Sequence, residues 1–465
     1  MIPENVIRQI EAAVGPEHLL TSPEDCWTYG YDATDQARAP EAVVFPGSAA
    51  EISQILKLAN EYRFAVTPRG AGTGRSGGAV PITGGVVLVL TRLNRILEIN
   101  RGDLVAVVEP GVILGRLKRE VEAQGLYYPP DPASAEFCTI GGNVAECAGG
   151  AVAVQWGVTR DYVLGLEVVL PTGELIEAGS RTMKGVVGYD LTRLFLGSEG
   201  TLGVITRIIL RLVAKPAARQ TLAAGFETLR AAAQAVSQIL TAGLAPTALE
   251  FMDRTTLDCV RELLPFEVPA AAAALLLVAV EGHPHDVEER AAAIARFCQA
   301  QGAAPVLRAQ TAAEADDLWK ARKVVSPALL RVKPNKVSED VVVPLGAIPA
   351  LIDGLQKISR RRGLIIPCYG HAGDGNIHVN VLYDRKIEAE RQTVSPTVVE
   401  IFALTRQLSG TLSGEHGIGL TKAPYLGMEL SAGAIALQRR LKLAFDPNHI
   451  MNPGKIFPET TDAEH

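Results

Sequence analysis

Short apolar runs alternate with amphipathic stretches along most of the chain, and this pattern predicts a protein of mixed strands and helices. Residues 42–45 are mostly apolar and predict a strand. A helix is predicted directly after them, because Ser48 suits a helix cap and Glu51 stands three residues further on. Residues 64–68 predict the next strand. Residues 166–176 predict a β-hairpin that turns at its Pro-Thr-Gly sequence.

The composition changes after Lys215-Pro216, where the chain becomes rich in alanine. Two similar segments follow, predicted as strand 221–226, helix 229–241 and strand 248–252, then strand 275–280, helix 286–301 and strand 304–307. Two β-α-β units in tandem are typical of a split βαβ sheet. They therefore predict a ferredoxin-like antiparallel sheet in this part of the chain.

Glycine is concentrated in three stretches, at residues 69–78, 138–150 and 196–205. The first is followed by the apolar strand pattern of residues 85–90, whereas a dinucleotide-binding fingerprint requires a helix there. We therefore interpret it as a loop whose backbone N–H groups form a nest for a pyrophosphate. A flexible surface loop is the alternative. In the second stretch, the small residues would permit close approach to a flat ligand.

Two further glycine-rich segments carry three of the eight histidines. His371 and His378 flank a Gly-Asp-Gly turn, which would bring both imidazole rings to one side although their odd separation on a straight strand would not. Glu415 would add a carboxylate, giving a two-histidine, one-carboxylate set for a divalent metal. Its neighbour His416 would then serve as a base. The alternative is that these histidines are ordinary hydrogen-bonding residues.

Composition narrows the protein class further. A length of 465 residues predicts two or three domains, and a net charge of −6 without a basic cluster argues against nucleic-acid binding. The six cysteines form no CxxC pair, so neither a zinc ribbon nor an iron–sulfur cluster is expected. Their wide spacing in a large chain predicts reduced thiols and a cytoplasmic protein. The N-terminus predicts an amphipathic helix rather than a signal peptide. The longest apolar run, at 270–280, is too short to cross a membrane.

The glycine-rich stretches resemble the FAD-binding loops of the vanillyl-alcohol oxidase/p-cresol methylhydroxylase (PCMH) flavoprotein superfamily. The matching residues are Pro68-Arg69-Gly70-Ala71-Gly72-Thr73-Gly74 with Ser76-Gly77-Gly78, Gly141-Gly142-Asn143 with Ala148-Gly149-Gly150, and Gly197-Ser198-Glu199-Gly200-Thr201-Leu202-Gly203. The histidine segments and Asn452-Pro453-Gly454-Lys455 resemble one branch, the FAD-binding D-2-hydroxyacid dehydrogenases. This branch includes D-lactate dehydrogenases, D-2-hydroxyglutarate dehydrogenase and the FAD subunit of glycolate oxidase.

The resemblance implies an α+β fold with three parts. A PCMH-type FAD-binding domain of two α+β subdomains would span residues 1–215, and a substrate- and metal-binding domain with the ferredoxin-like sheet would span 216–424. A C-terminal segment, 425–465, would return to complete the FAD domain.

The resemblance also implies the contacts of the flavin. The residues expected to bind FAD are Pro68, Arg69, Gly70, Ala71, Gly72, Thr73, Gly74, Ser76, Gly77, Pro129, Asp131, Thr139, Gly141, Gly142, Asn143, Ala148, Gly149, Glu199, Gly200, Gly203, Ile205 and Asn452. The isoalloxazine ring would lie near Gly141, Gly142 and Asn143. Many relatives attach the flavin through a histidine in or near the first loop. This loop has no histidine, so non-covalent FAD is expected.

By the same resemblance, His371, His378 and Glu415 would bind a divalent metal, most often zinc, and Arg322 and Lys336 would bind the substrate carboxylate. A guanidinium suits that task because it binds a carboxylate through two parallel hydrogen bonds. Ser326 lies one helical turn after Arg322 and Asn380 shares a strand face with His378, so both are expected to line the site. The alternative for the two cations is solvated surface charge, since Lys320, Lys323, Arg331 and Lys333 crowd the same region.

The expected reaction is oxidation of a small D-2-hydroxy acid, such as D-lactate or glycolate, to the 2-oxo acid. His416 would take the hydroxyl proton and flavin N5 the hydride. Electrons would then pass to a separate acceptor, such as an electron-transfer flavoprotein, an iron–sulfur subunit or a quinone. Two alternatives are the flavin subunit of a multi-subunit glycolate oxidase and a non-catalytic FAD-binding scaffold. A cytoplasmic location is expected, with any membrane association coming through partner subunits. The substrate side chain, the acceptor, the metal and the oligomeric state stay open.

Overall fold

The computed structural model describes residues 1–457, so residues 458–465 of the predicted C-terminal segment lie outside the described part. The helices are α1 (Glu4–Val14), α2 (Pro23–Trp27), α3 (Ala49–Tyr62), α4 (Leu114–Glu122), α5 (Ile140–Glu146), α6 (Ala153–Trp156), α7 (Leu191–Phe195), α8 (Leu229–Thr241), α9 (Arg254–Val260), α10 (Pro284–Ala300), α11 (Ala312–Val332), α12 (Ile348–Arg362), α13 (Glu388–Gln407) and α14 (Ala432–Phe445). The strands are β1 (Leu19–Leu20), β2 (Ala42–Val44), β3 (Val66–Arg69), β4 (Val86–Val89), β5 (Ile96–Asn100), β6 (Val105–Val108), β7 (Leu126–Tyr127), β8 (Val163–Val169), β9 (Leu175–Gly179), β10 (Val204–Arg211), β11 (Val213–Ala214), β12 (Ala218–Phe226), β13 (Ala248–Asp253), β14 (Ala274–Gly282), β15 (Val306–Arg308), β16 (Asn335–Val342), β17 (Cys368–His371) and β18 (Asn376–Tyr383).

The chain divides into two compact units. The first comprises Met1–Ala148, Val158–Lys215 and the chain from Glu415 onward, and the second comprises Gly149–Gly157 and Pro216–Gly414. Compactness alone does not establish independent folding, so the domain boundaries at 215/216 and 424/425 stay predictions. Within residues 1–457, no helix is both long enough and apolar enough to cross a membrane.

The first unit contains a small, partly parallel sheet with strand order β1-β2-β4-β3. Strand β4 lies between β2 and β3 and runs parallel to both. The predicted helix cap before α3 is present, because the Ser48 hydroxyl accepts a hydrogen bond from the N–H of Glu51 at 3.2 Å. The predicted strand after the first glycine-rich loop is β4. This succession of strand, loop and strand excludes a Rossmann-type turn at that loop.

A second sheet of the first unit is antiparallel, with strand order β5-β6-β10-β8-β9. The predicted hairpin forms β8 and β9, and Gly173 occupies its turn at a φ of 83°, a left-handed conformation that favours glycine. Helices α4 and α5 pack on the sheet through a buried apolar cluster that includes Leu117, Ile140 and Ile208. The first unit therefore has the two α+β subdomains that the resemblance implied.

The second unit is built on one seven-stranded antiparallel sheet with order β15-β12-β14-β13-β17-β18-β16. Its first four strands derive from the two predicted β-α-β units. Numbered along the chain, they have the order 4-1-3-2 of a ferredoxin-like fold, which confirms that prediction. Strands β17, β18 and β16 extend this sheet beyond β13. The additional strands carry the histidine hairpin and therefore position the candidate site of this unit.

Candidate active site

The first glycine-rich loop connects β3 to β4 and approaches the N-terminus of α5. A Cβ atom at Gly70 would overlap the Thr139 hydroxyl oxygen, so that only glycine fits at this position. Gly72 and Gly77 have φ values of 69° and 81°, which again favour glycine. The Thr139 hydroxyl in turn accepts a hydrogen bond from the N–H of Gly142 at 3.3 Å. Two of the three predicted FAD motifs therefore meet at Gly70 and Thr139.

The second motif is mostly helical rather than a loop. Gly141, Gly142 and Asn143 lie in the first turn of α5. A Cβ at Gly141 would lie 2.5 Å from the Cβ of Pro110, which explains why a small residue is required there. Further along, the division of the chain places Ala148 in the first unit and Gly149 in the second.

The third motif is connected to residues 418 and 419 through Glu199, whose side chain is buried. Its carboxylate accepts hydrogen bonds from the N–H groups of Ile418 and Gly419 at 2.8 and 2.7 Å. Burial raises the pKa of Glu199 to about 7, while these two N–H groups and the charges of Lys455 and Lys422 act in the opposite direction. Resemblance alone had suggested a flavin contact for Glu199. Its side chain anchors the backbone that follows His416 and Gly417, and its contact with the flavin stays a prediction.

Asn452 connects two predicted motifs. Its side-chain amide donates hydrogen bonds to the carbonyl oxygens of Gly78 and Glu199 at 2.8 and 2.7 Å. The N–H of Leu420 donates to the carbonyl of Ser76 at 2.7 Å, so the chain just after the His416 segment also contacts the first loop. The glycine-rich motifs and Asn452, although distant in sequence, are therefore assembled in one region of the first unit.

Two charged residues of the predicted FAD set have protein partners. The Arg69 guanidinium donates to the carbonyl of Tyr31 at 2.6 Å, and the Asp131 carboxylate pairs with Lys118 at 2.5 Å. The remaining predicted residues lie on or beside these elements: Pro68 in β3, Ala71, Thr73 and Gly74 in the first loop, Pro129 after β7, and Gly200, Gly203 and Ile205 at the start of β10.

The register of the second unit's sheet collects polar side chains on one face. His371 lies opposite Glu250 on β13, and His378 lies opposite Asp340 on β16. Across the hairpin, His371 pairs with Asn376, so these two side chains lie on one face. His378 is two residues after Asn376 on the same strand and shares that face, as predicted from the Gly-Asp-Gly turn. Asn380 follows on that face, fully buried, with its side-chain oxygen accepting from the Ser338 hydroxyl at 2.9 Å.

The three predicted metal ligands lie close together. The rings of His371 and His378 are 5.2 Å apart between centroids and are nearly perpendicular. One donor atom from each histidine and one from Glu415 lie within 4.8 Å of one another. The position of Glu415 is constrained by Gly414, whose N–H donates to the Asp340 carboxylate at 2.9 Å. Two imidazole nitrogens and one carboxylate oxygen form a donor set that suits zinc or a similar divalent ion.

Glu250 is a site residue that the sequence reasoning missed. It is fully buried in β13, and its carboxylate contacts both Nδ1 of His371 and Nε of Arg322, the latter at 2.5 Å. Burial alone would raise the pKa of Glu250, but its interactions with His371 and Arg322 outweigh burial and lower the pKa to about 2. A signal was available, because a glutamate inside the apolar strand 248–252 is costly unless it is paired.

The predicted substrate cations are not solvated surface charges. Arg322 lies on α11, with its side chain 16% exposed, and its guanidinium stacks over the Tyr369 ring at 4.6 Å. Helix α11 packs on the polar face of the sheet through Leu318, Ala321 and Val325. Lys336 donates from Nζ to the hydroxyl and carbonyl oxygens of Ser326 at 2.7 and 2.8 Å.

Comparison with protein families identifies both halves of the chain. Residues 215–456 match the model described as FAD linked oxidases, C-terminal domain, and residues 40–179 match an FAD binding domain. Glycolate oxidase subunit GlcD of Bacillus subtilis (strain 168) is 44% identical over 98% of this chain and 97% of its own length. D-lactate dehydrogenase of Anaerostipes hadrus is 36% identical over 95% of both chains. D-2-hydroxyglutarate dehydrogenase of Stutzerimonas stutzeri (strain A1501) is 35% identical over 97% of this chain and 98% of its own.

Solved structures share the fold at low sequence identity. p-Cresol methylhydroxylase aligns with a TM-score of 0.81 at 17% identity, covering 99% of this chain and 98% of its own. 4-Ethylphenol oxidase from Gulosibacter chungangensis aligns with a TM-score of 0.78 at 23% identity, covering 98% and 97%. These similarities confirm the PCMH-type fold. Together with the sequence matches, they establish that the chain belongs to the family of FAD-linked oxidases.

Proposed function

We propose that this protein oxidises a small D-2-hydroxy acid of the glycolate or D-lactate type to the corresponding 2-oxo acid, using non-covalent FAD and a divalent metal ion. The observation that carries the proposal is the polar face of the second unit's sheet. There His371, His378 and Glu415 supply a metal-type donor set, and the Glu250-paired Arg322 lies on the helix that packs on the same face. The relatives named glycolate oxidase subunit, D-lactate dehydrogenase and D-2-hydroxyglutarate dehydrogenase support the substrate class.

The second unit would bind and orient the substrate. The Arg322 guanidinium donates from Nε to Glu250, and its terminal nitrogens would bind the substrate carboxylate through two hydrogen bonds. Lys336 and Ser326, held together by their own hydrogen bond, would add a second polar contact, and the buried Asn380 would line the site.

The redox and proton chemistry is divided between cofactors and protein. FAD, when bound, supplies the hydride acceptor, and a divalent ion, when bound, lowers the pKa of an alcohol oxygen. His416 would accept the hydroxyl proton, because an imidazole titrates near neutral pH. Glu199 would support this role by fixing the backbone two and three residues after His416.

A separate partner would reoxidise the flavin, since the six cysteines form no CxxC pair for an iron–sulfur centre that could carry the electrons onward within this chain. A GlcD-type arrangement is the preferred form of this partnership, since that relative is named as a subunit. An electron-transfer flavoprotein, an iron–sulfur subunit or a quinone would each serve as acceptor.

Anaerobic reduction of the bound flavin tests this function directly. D-lactate or glycolate should bleach the flavin absorbance, whereas L-lactate should not. Removal of the metal with a chelator should abolish bleaching, and added zinc should restore it. A protein that is bleached equally well without metal would contradict the metal role. A flavin that no 2-hydroxy acid reduces would instead favour the scaffold alternative.

A further inference from the structure

The buried carboxylate of Glu250 joins two groups that the proposed function assigns to different tasks. Its Oε1 contacts Nδ1 of the candidate metal ligand His371, and its Oε2 accepts from Nε of the candidate substrate residue Arg322 at 2.5 Å. Glu250 is fully buried, and the Arg322 side chain is 16% exposed. Each carboxylate oxygen of Glu250 contacts a protein group, which suits a residue that orients other site residues.

The chemistry of the two contacts fixes the proton on His371. A carboxylate beside an arginine is ionised and can only accept hydrogen bonds. Nδ1 of His371 must therefore carry a hydrogen, which it donates to Glu250, and Nε2 is then the nitrogen with a lone pair for a metal. Carboxylates that accept from the remote nitrogen of a histidine ligand fix its tautomer and increase its basicity.

The same carboxylate also orients the guanidinium. Nε of Arg322 donates to Glu250 and its Cζ lies over the Tyr369 ring, 4.6 Å from the centroid, so the guanidinium is restrained by two neighbours. Tyr369 in turn lies 5.5 Å from the His378 ring between centroids. One buried acid thus connects the groups that would bind the two ends of a 2-hydroxy acid, the hydroxyl and the carboxylate.

We propose that Glu250 is a positioning residue that sets the tautomer of His371 and the orientation of Arg322 together, and so fixes the spacing at which a hydroxyl and an adjacent carboxylate are recognised. This inference rests on the proposed function. It predicts that a single substitution at Glu250 weakens metal binding and substrate binding at once, although Glu250 contacts neither.

Glu250→Gln is the informative variant, because it keeps the shape but offers only one acceptor oxygen. In one orientation of the amide, its oxygen accepts from His371, but its NH₂ group then opposes the N–H of Arg322. In the reversed orientation, the NH₂ group faces Nδ1 of His371, so Nδ1 must be unprotonated and the ring hydrogen lies on Nε2. We expect zinc affinity, measured on the metal-free protein by competition with a chromophoric chelator, to fall about 10- to 100-fold. The KM for the 2-hydroxy acid should rise in the same variant.

Glu281→Gln is the matched control, since Glu281 is also a buried glutamate of this sheet and pairs with an arginine, Arg219, at 3.5 Å. It should retain the zinc affinity and KM of the unsubstituted protein. An unchanged zinc affinity in Glu250→Gln would overturn the inference. If the unsubstituted protein itself fails to bind zinc, the proposed function fails instead, so that the two outcomes can be told apart.

A measurement on the unsubstituted protein covers the case in which Glu250→Gln does not fold. In the zinc-loaded protein labelled with ¹⁵N-histidine, Nδ1 of His371 should have the chemical shift of a protonated ring nitrogen. An unprotonated Nδ1 would contradict the role of Glu250.

Discussion

Glu199 holds Gly419, 220 residues further along the chain, by a hydrogen bond of 2.7 Å from the glycine N–H to the buried glutamate carboxylate. The neighbouring N–H of Ile418 donates to the other carboxylate oxygen at 2.8 Å. A Cβ at Gly419 would overlap the carbonyl of Ser76, so this segment packs against the first glycine-rich loop with no space to spare. The backbone after His416 is therefore fixed from two sides by residues of the flavin motifs.

Glu199→Gln should loosen this anchor. The carboxylate offers one acceptor oxygen to each of two N–H groups, whereas the amide offers one acceptor and an opposing donor. We expect the N–H groups of Ile418 and Gly419 to exchange with solvent faster in the variant than in the unsubstituted protein, measured by hydrogen-exchange mass spectrometry. Glu177→Gln, at a side chain that is 75% exposed, should leave the exchange of these two N–H groups unchanged. Equal exchange in both variants would contradict the anchoring role.

Two glycine substitutions separate the packing of the first loop from its contact with FAD. Gly70→Ala should lower the stability of the FAD-free protein, because its Cβ would overlap the Thr139 hydroxyl. The nearest atom to a Cβ at Gly74, the Glu146 carboxylate, is 3.8 Å away, so that Gly74→Ala should leave that stability unchanged. If the loop cradles the pyrophosphate, Gly74→Ala should still weaken FAD binding in a fluorescence titration. Unchanged affinity would place the phosphates elsewhere.

His416→Ala should retain FAD and zinc but lose at least about 100-fold in the rate of flavin bleaching by the 2-hydroxy acid, since general bases contribute about 10²–10⁴. Anaerobic stopped-flow absorbance measures the rate. His285→Ala, at an exposed histidine of α10, is the control. Bleaching at the unsubstituted rate would exclude His416 as the base.

Acid precipitation should release all flavin from the protein. The first loop contains no histidine, so that a covalent histidyl bond cannot form there. Absorbance at the flavin maximum should therefore appear only in the supernatant. Yellow colour that stays with the pellet would show a covalent link elsewhere in the chain.

Asp253 should make stability depend on pH. Burial raises its pKa to about 6, so its favourable contribution is present at low pH and is lost as the pH rises through 6. Asp253→Asn keeps an acceptor for the N–H groups of Thr256 and Cys368 but removes the charge. In denaturant titrations, the free energy of unfolding of Asp253→Asn should exceed that of the unsubstituted protein. The difference should grow from pH 5 to pH 8 and reach about 3 kcal/mol.

Asp190→Asn provides the comparison for that pH series. Asp190 also caps a helix, accepting from the N–H of Arg193 at 3.2 Å, but its side chain is 64% exposed. This variant therefore measures the loss of a capping carboxylate that is not buried. If the stability difference between Asp253→Asn and the unsubstituted protein did not change with pH, ionisation of the buried Asp253 carboxylate would not lower stability, and the prediction would be wrong.

Local patterns explain which parts of the fold were predictable. The bounds of α8 were predicted to the residue, because Thr228 caps the helix and apolar residues recur along one face. The glycine turn between His371 and His378 likewise allowed their common face to be predicted. In each case the information lies within about ten residues of sequence.

The missing part of the prediction was non-local. Glu250 contacts Arg322 and His371 from a strand far away in sequence, and only sheet register brings them together. The addition of β16, β17 and β18 to the ferredoxin-like strand order has the same origin, since strand pairing depends on partners that no local pattern specifies. Glu199 was selected from its motif, yet its contact with Gly419 became apparent only in three dimensions.

The return of the chain to the first unit has a consequence for biosynthesis. Strand β3 lies at the edge of its sheet, and its outer side is paired with residues near the C-terminus: the N–H of Val66 donates to the carbonyl of Ile450 at 2.7 Å, and the N–H of Asn452 donates to the carbonyl of Val66 at 2.8 Å. At about 5–20 residues per second, these partners leave the ribosome on the order of tens of seconds after β3. During that interval β3 is an open edge that other chains could pair with. We therefore expect this edge to be open to aggregation while the second unit of the flavoprotein is being translated.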